Sequence, residues 1–395
     1  MKNEYVFFSN LLNIKNQNDF KISQGNPIMD SFYKPIFLEY KETTNGGLIA
    51  LDNFPEDCAC KNGIIKARKQ FLQGLKYAIE NLKVNVVLLA ASTKRLFGKE
   101  IELKVAWDGH LDNSGFTLRE LYPEILFTNG DNGTAAILNM EIDSIIQKAG
   151  IISKHDFDVI PSKEGINLWN VRVDSRFHGN DNEGIVIING LGLLGLDSLE
   201  YLLEKNLSDE QIIIISNHTK DLKELISTRN IKVFPDIKSI EINDIDKIRS
   251  IINCTHNPSS LITFDNLKNI QNGQTIHVVD VAVPYGFPEE EYYKCKNIYR
   301  QDGGNAYIEN GLEFFFNPEI CGLTENVLYG CFAETVAISA YLKENPHEIE
   351  YIKTLDLFNV NKTSKNFVKK LFKKYGIGIA PVPFNFNKQI DHEKN

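Results

Sequence analysis

Short apolar runs alternate with amphipathic segments in the middle of the chain. Gly184–Asn189 is a β-branched run of the kind that forms a buried parallel strand. It leads directly into Gly190–Gly195, and the helical pattern that follows has its leucines on one face. Gln211–Ser216 repeats the buried-strand pattern about one strand–helix–strand unit later. The pattern predicts a parallel strand that ends in a glycine turn and continues as a helix.

Strands and helices continue to alternate up to residue 305. The predicted elements are a helix at Lys220–Thr228, a strand at Lys232–Phe234, a helix around Asp246–Arg249, and strands at Ile251–Cys254, Ile276–Val281 and Lys296–Tyr299. Strands that alternate with helices of this length form a parallel sheet with helices packed on it. We therefore predict an α/β fold with a Rossmann-type domain over residues 184–305.

The flanking segments are predicted to form a second domain and a helical C-terminus. Helices are predicted at Gly63–Leu82 and Asn132–Lys148, with a strand at Val84–Ala91, and two more helices at Glu325–Leu342 and Ser364–Tyr375. The predicted division is an α/β substrate or acyl-binding domain over 1–152, a polar linker or inserted loop at 153–183, the Rossmann-type domain, and a helical segment over 306–395.

Composition narrows the class of protein. Of the 395 residues, 43% are hydrophobic and 24% are charged, which is typical of a globular enzyme. The formal net charge of −9 argues against nucleic-acid binding by the whole surface. No apolar run approaches the ~18 residues of a membrane helix, and we expect no signal peptide. The six cysteines are scattered without zinc-ligand spacing, so we predict no metal site and a cytoplasmic protein with reduced thiols.

Gly190, Gly192 and Gly195 form a GxGxxG motif between the predicted strand and helix. In a dinucleotide-binding fold, the first glycine permits the tight turn and the second lets the backbone approach a pyrophosphate. The third allows the helix to pack closely on the strand. The helix N-terminus adds amide donors for the phosphates. We predict a dinucleotide site here, with a glycine turn that binds nothing as the alternative.

The end of the second strand bears on which nicotinamide cofactor is bound. An NAD site usually places Asp or Glu there, whereas this chain has no carboxylate before Asp221. The residues assigned to the cofactor are Asn217, Thr219, Lys220 and Thr255. Amide and hydroxyl donors with a lysine suit a 2′-phosphate, so NADPH is the predicted cofactor. Asn217 and Thr219 could also cap the next helix.

A cysteine early in a predicted helix is the candidate nucleophile. Cys331 follows Thr324, the predicted cap, and the helix dipole would favour a thiolate there modestly. Glu334 lies three residues further on and could hold a proton, although such a glutamate is more often solvated or ion-paired. Cys331 also shares the apolar stripe of this helix, so an unreactive core cysteine is the competing interpretation.

Three stretches resemble the long-chain acyl-carrier-protein reductases, a family related to shikimate dehydrogenase and glutamyl-tRNA reductase. Phe127–Ala135 is similar to the family's threonine-glycine-asparagine signature, and Gly190–Gly195 falls where the family's phosphate loop falls. Tyr329–Glu334 is similar to the family's Ala-Cys-Phe-Ala-Glu segment, whose cysteine receives the acyl group. The glycine spacing departs from the family's usual GxxGxxG.

The resemblance implies NADPH-dependent reduction of an acyl thioester to an aldehyde, with Cys331 as the nucleophile. Thr128, Asn129 and Thr134 are then candidates for lining the substrate site; the alternative is that they form a turn and helix cap. The acyl donor could be an acyl-carrier protein or coenzyme A, and the aldehyde could pass to a partner enzyme.

An acyl-carrier protein is strongly acidic, so an enzyme that depends on it requires a local basic surface. The candidate residues are Lys61, Lys66, Arg68 and Lys69 on one helix and Lys362, Lys365, Lys369, Lys370, Lys373 and Lys374 on the C-terminal one. The second helix also carries apolar residues that could lie on an anionic membrane, so we expect at most peripheral membrane contact. A solvated charged face is the simpler interpretation of both.

Two other functions stay open. A shikimate-dehydrogenase-like oxidoreductase acting on a hydroxy or amino acid would need a lysine and aspartate pair and no covalent step, and the sequence shows no convincing pair. A non-catalytic sensor would bind NADPH with Cys331 unreactive.

Overall fold

The computed structural model describes residues 4–11, 13–151, 184–216, 228–255, 257, 260–268, 270 and 274–389. The chain separates into two compact units, one formed by Met1–Ala136 and Asn305–Gly378 and the other by Ile137–Gly304 and Ile379–Asn395. The predicted linker at 153–183 lies outside the described residues, as does the helix predicted at 220–228 apart from its last residue.

In chain order, the strands of the described residues are β1 (Tyr5–Asn10), β2 (Ile36–Tyr40), β3 (Thr44–Leu51), β4 (Val86–Leu89), β5 (Leu126–Thr128), β6 (Ile185–Asn189), β7 (Ile212–Ile215), β8 (Lys232–Phe234), β9 (Ile248–Asn253), β10 (Ile276–Asp280), β11 (Ile298–Asp302), β12 (Asn305–Ile308), β13 (Leu312–Phe314), β14 (Val327–Tyr329), β15 (Ile377–Ile379), β16 (Phe384–Asn385) and β17 (Lys388–Gln389). The α-helices are α1 (Ile14–Gln24), α2 (Lys61–Tyr77), α3 (Leu118–Leu121), α4 (Asp131–Lys148), α5 (Leu193–Glu204), α6 (Ile242–Ile245), α7 (Phe264–Leu267), α8 (Glu289–Tyr292), α9 (Gly330–Glu344), α10 (Ile349–Thr354) and α11 (Lys362–Tyr375).

The first unit is built on a six-stranded sheet in the order β13-β2-β3-β1-β4-β5. The neighbours β3, β1, β4 and β5 run parallel, whereas β2 and β13 are antiparallel to their neighbours. Tyr5 lies opposite Gly46 and Val86, and Val86 lies opposite Leu126. This register brings the carboxyl ends of β1, β4 and β5 to one edge of the sheet. Phe71 and other apolar residues of α2 complete the core.

The second unit contains a six-stranded sheet in the order β11-β10-β9-β6-β7-β8, in which every neighbouring pair is parallel. This is the strand order of a Rossmann fold, with the order reversing between β6 and β9. Side chains of β6 alternate between the two faces: Val186 and Ile188 pack with residues of α4 and α5, whereas Ile185 and Ile187 pack with Leu267 of α7. The predicted α/β fold with a Rossmann-type parallel sheet is confirmed.

The prediction of a helix around Asp246–Arg249 is wrong. The helix here is α6, which ends before these residues, and strand β9 already starts at Ile248. The reason is pairing in the sheet, because β9 lies between β6 and β10 and hydrogen-bonds to both.

The helix predicted from Glu325 begins later, at Gly330. The intervening residues form β14, which pairs antiparallel with β12 and so takes an extended backbone. Thr324 is therefore not the cap, and Tyr329 occupies the N-cap position without a side-chain capping bond.

The boundaries of the two compact units differ from those of the predicted segments 1–152 and 306–395. Residues 305–378 pack with the first 136 residues, while the hairpin of β16 and β17 belongs to the second unit. Asp302 holds that hairpin by accepting hydrogen bonds from the amides of Phe386 (3.1 Å) and Asn387 (2.7 Å). Among the helices that the structure describes, none has the length and apolar content that a membrane crossing needs.

Candidate active site

The carboxyl end of β5 leads into a glycine loop that packs against the start of α9. Gly130 has a φ of 72°, and α4 begins at the next residue. A Cβ built on Gly130 would lie 2.2 Å from the Cβ of Cys331. One turn further, a Cβ on Gly133 would lie 2.4 Å from the carbonyl oxygen of Gly330. The absence of side chains at Gly130 and Gly133 therefore lets the N-termini of α4 and α9 approach closely.

Glu334 of α9 is fully buried and bonded to this loop. Its Oε1 accepts a hydrogen bond from Thr128 Oγ1 at 2.6 Å, and its Oε2 accepts one from the Gly133 amide at 2.6 Å. Burial raises the pKa of Glu334 to about 7, although both hydrogen bonds favour the carboxylate. Near neutral pH both protonation states are populated, as a group that accepts and returns a proton requires.

The residues predicted to line the substrate site, Thr128, Asn129 and Thr134, lie in this same loop and the first turn of α4. Thr128 and Asn129 are buried. The Asn129 amide donates to Asp131 Oδ2 (2.9 Å) and to the carbonyl oxygen of Phe358 (2.8 Å). Thr134 is partly exposed. Thr128 and Asn129 therefore hold the loop in place, and Thr134 is the member of the set with a side chain that solvent reaches.

Cys331 is the second residue of α9 and is partly exposed. Burial raises the pKa of its thiol to about 12; Lys94 opposes this shift, whereas Asp131 and Glu334 reinforce it. The expected stabilisation of a thiolate by the helix dipole is thus outweighed. The free energy needed to remove water from a thiolate is larger here than the stabilisation that the helix N-terminus provides.

Lys94, which was not predicted from the sequence, completes the cluster. It lies in the turn Ala91–Arg95 that follows β4, and its Nζ is 2.6 Å from Asp131 Oδ1. Burial disfavours the ammonium, but Asp131 outweighs it and holds the pKa of Lys94 above its ordinary value. Lys94 and Asp131 both follow parallel strands whose carboxyl ends meet at one edge. That adjacency is the signal from which the pair could have been found.

The two predicted basic helices are only partly available at the surface. Arg68 is buried, and its Nε donates to the carbonyl oxygen of Leu96. Lys365 is buried as well. Of the apolar residues of α11 that could have faced a membrane, Val368, Leu371 and Phe372 are buried within the first unit, whereas Phe367 is partly exposed. The exposed lysines are Lys61, Lys66 and Lys69 on α2 and Lys362, Lys370, Lys373 and Lys374 on α11.

In the second unit, the glycine loop has the geometry that a dinucleotide requires. Gly190 has a φ of 92°, and a Cβ on it would lie 2.6 Å from the Cβ of Thr255. A Cβ on Gly195 would lie 2.0 Å from the carbonyl oxygen of Gly190, whereas one on Gly192 meets nothing within 4 Å. Helix α5 begins at Leu193 without a side-chain cap in the structure as described. The turn is tight, the helix packs closely, and the middle glycine leaves space for a phosphate.

A row of polar side chains lies at the ends of β6, β9 and β10. The Asn189 amide donates to Asn253 Oδ1 (2.7 Å) and to the carbonyl oxygen of Ser260 (2.9 Å), and the Asn253 amide donates to Asp280 Oδ1 (2.7 Å). Asn189 Oδ1 is buried and accepts no hydrogen bond from any described residue. Asn189 is fully buried, so this oxygen is out of reach of a ligand, and the row fixes the strand ends next to the glycine turn. The turn that begins at Gly190 is what fits a dinucleotide.

No protein-family model matches the chain, and no curated protein does. Among solved structures, it is similar to L-tryptophan dehydrogenase from Nostoc punctiforme, with 12% identity over 94% of this chain and 88% of that one and a TM-score of 0.36. It is also similar to the NADPH-dependent glyoxylate/hydroxypyruvate reductase from Sinorhizobium meliloti, with 10% identity over 76% and 79% and a TM-score of 0.26. Glutamyl-tRNA reductase from Methanopyrus kandleri matches with 12% identity over 49% of this chain and 40% of its own, with a TM-score of 0.25.

All three TM-scores lie below 0.5, so the assignments that follow depend on the residues of this chain. Of the predicted cofactor residues, Asn217, Thr219 and Lys220 lie outside the described residues, whereas Thr255 lies against the glycine loop. Within the described ranges, no group of three or more His, Cys, Asp or Glu side chains could hold a metal ion.

Proposed function

We propose that the chain is an NADPH-dependent reductase that converts an acyl thioester, carried by an acyl-carrier protein or coenzyme A, to an aldehyde. The observation that carries the proposal is the packing of Cys331 and Glu334 against the loop Thr128–Gly133. The thiol of a half-buried cysteine, a buried carboxyl group with a pKa of about 7 and a glycine loop hydrogen-bonded to that carboxyl group form one site.

In the first half-reaction, the Cys331 sulfur attacks the thioester carbonyl and the bond to the donor's sulfur breaks. Because burial keeps the resting thiol protonated, a proton acceptor is needed, and we assign this role to the Glu334 carboxylate. The proton then passes to the departing thiolate of the donor, so this step consumes no oxidant or reductant.

In the second half-reaction, NADPH supplies the hydride that adds to the acyl carbon. The oxyanion of the resulting hemithioacetal needs a hydrogen-bond donor. Thr134 is our candidate because this residue is partly exposed; its hydroxyl, which donates to the carbonyl oxygen of Gly130 at 3.3 Å, would turn to the oxyanion. Breakage of the carbon–sulfur bond releases the aldehyde and returns Cys331 as a thiolate, which Glu334 can reprotonate after it takes up one proton from solvent. The preference for NADPH over NADH depends on Asn217, Thr219 and Lys220.

The test is the intact mass of the protein after incubation with acyl-carrier and coenzyme A thioesters without NADPH. We expect a gain of one acyl group that maps to Cys331, disappears when NADPH is added and does not form in Cys331→Ala. If donors of several acyl lengths leave the mass unchanged, the thioester reaction is wrong.

The Lys94–Asp131 pair supports a second candidate, an oxidoreductase that transfers hydride to or from a hydroxy or amino acid. In the reducing direction such a reaction needs a proton donor, and an ammonium held by a carboxylate at 2.6 Å can supply the proton. Because this reaction has no covalent step, Cys331→Ala would retain it and Lys94→Met would lose it. A screen of hydroxy and amino acids with NADP+ distinguishes the two functions.

A further inference from the structure

Charges of both signs act on the Cys331 sulfur. Asp131 and Glu334 both disfavour negative charge on it, whereas Lys94 and the amide of Phe332 favour it. These groups come from the turn after β4, the start of α4 and α9 itself. Among the side chains of the described residues that act on this thiol, Lys94 is the cation.

The contacts place Lys94 at the site through Asp131. The Lys94 ammonium is 2.6 Å from Asp131 Oδ1, and Asp131 follows Gly130, whose backbone lies against Cys331. The Asn129 amide donates to the other carboxylate oxygen of Asp131, so both oxygens have partners and the carboxylate is fixed. An ammonium has three donors, and Asp131 accepts one of them.

We propose that the Lys94 ammonium is the counter-charge of the Cys331 thiolate, and that Asp131 both positions this ammonium and partly neutralises it. The role in catalysis rests on the proposed function. As acyl transfer proceeds, negative charge moves from sulfur to the carbonyl oxygen, and a fixed cation stabilises both. Lys94 thus acts through Cys331 and sets how much thiolate is present.

The test is the rate at which iodoacetamide alkylates Cys331 in the full-length protein, followed on the Cys331 peptide by mass spectrometry from about pH 7 to pH 10. An opposite charge nearby shifts a pKa by about one unit or more, and only the thiolate reacts. We therefore expect Lys94→Met to slow alkylation about tenfold or more at a fixed pH below the thiol pKa. Lys94→Arg should keep most of the rate.

Two controls keep the outcome interpretable. Lys104→Met removes a lysine that pairs with Glu120, outside this cluster, and should have no effect. Cys58, a buried thiol in the same unit, should stay unlabelled in every folded variant. An unchanged pH profile in folded Lys94→Met overturns the proposal. If Lys94→Met labels at Cys58, it is not folded and the decision falls to Lys94→Gln, where an unchanged pH profile overturns the proposal.

Alkylation requires neither thioester nor cofactor, so this inference and the proposed function can fail separately. A Lys94-dependent alkylation rate without an acyl adduct would contradict only the proposed function. An acyl adduct with an alkylation rate that ignores Lys94 would contradict only the role given to Lys94.

Discussion

The carboxyl group of Glu334 changes its charge near neutral pH, and this couples the site to the stability of the fold. In the unfolded chain a glutamate titrates near pH ~4.3, whereas burial raises the pKa of Glu334 to about 7. The folded protein therefore binds this proton more tightly than the unfolded chain does. Below the lower pKa both states are protonated and the shift has no effect. As the pH rises between the two values, the folded state loses stability relative to the unfolded chain, and the loss is complete above about pH 7.

We expect Glu334→Gln to remove this pH dependence. The free energy of unfolding of the wild type, relative to that of the variant, should fall by about 2–3 kcal/mol between about pH 5 and about pH 8. Urea unfolding at several pH values measures the difference. Glu344→Gln, at an exposed position at the end of the same helix, is the control. A constant difference between wild type and Glu334→Gln would show that the Glu334 pKa is ordinary.

At the scale of elements, the close approach of α4 and α9 explains why the site exists at all. The two helices start at residues far apart in the chain, and their first turns meet at glycines. Glu334 then bridges from α9 to the Gly133 amide in the first turn of α4, where a carboxylate is favoured by the unpaired amides and the helix dipole. A side chain at this crossing would separate Cys331 and Glu334 from the loop.

Gly130→Ala tests the crossing. Its φ of 72° costs an alanine about 1–2 kcal/mol, and the Cβ would collide with that of Cys331 at 2.2 Å. Gly376→Ala is the matched control, because its φ is 68° and a Cβ there meets only Lys41 Nζ at 3.8 Å. We expect Gly130→Ala to lower the free energy of unfolding by about 1–3 kcal/mol more than Gly376→Ala does, and to change the alkylation rate of Cys331. Equal losses in the two variants would mean that the loop moves away without cost.

At the scale of the whole molecule, what the sequence predicts depends on how far apart the interacting residues lie. Strand β6, the glycine turn and α5 were predictable because the strand pattern and the turn are adjacent in the chain. The pairing of β13 with β2 was not, since it joins Leu312 to Tyr40 across most of the chain. The Lys94–Asp131 pair was missed for the same reason, as the two residues follow different strands. The raised pKa of Cys331 depends on burial, which only the packed structure defines.

The two units contain different halves of the proposed chemistry, so single substitutions should separate them. Cys331→Ala should lose the acyl adduct and keep NADPH affinity. Gly192→Ala adds a Cβ that meets no protein atom within 4 Å, so we expect it to fold normally and still form the adduct. If a pyrophosphate approaches this turn, that Cβ should weaken NADPH binding at least about tenfold, or ~1.4 kcal/mol, as measured by NADPH fluorescence.

Gly378→Ala adds a Cβ in equally open space at a residue that is not part of the glycine loop, and should change neither measurement. Wild-type NADPH affinity in Gly192→Ala would place the phosphates elsewhere, because a dinucleotide on this loop cannot ignore an added methyl group at the middle glycine. An acyl adduct that persists in Cys331→Ala would likewise assign the nucleophile to another residue. Only the combined result, in which each variant loses one half-reaction and keeps the other, fits a reductase that forms a thioester on Cys331 and binds its nicotinamide at the Gly190–Gly195 turn.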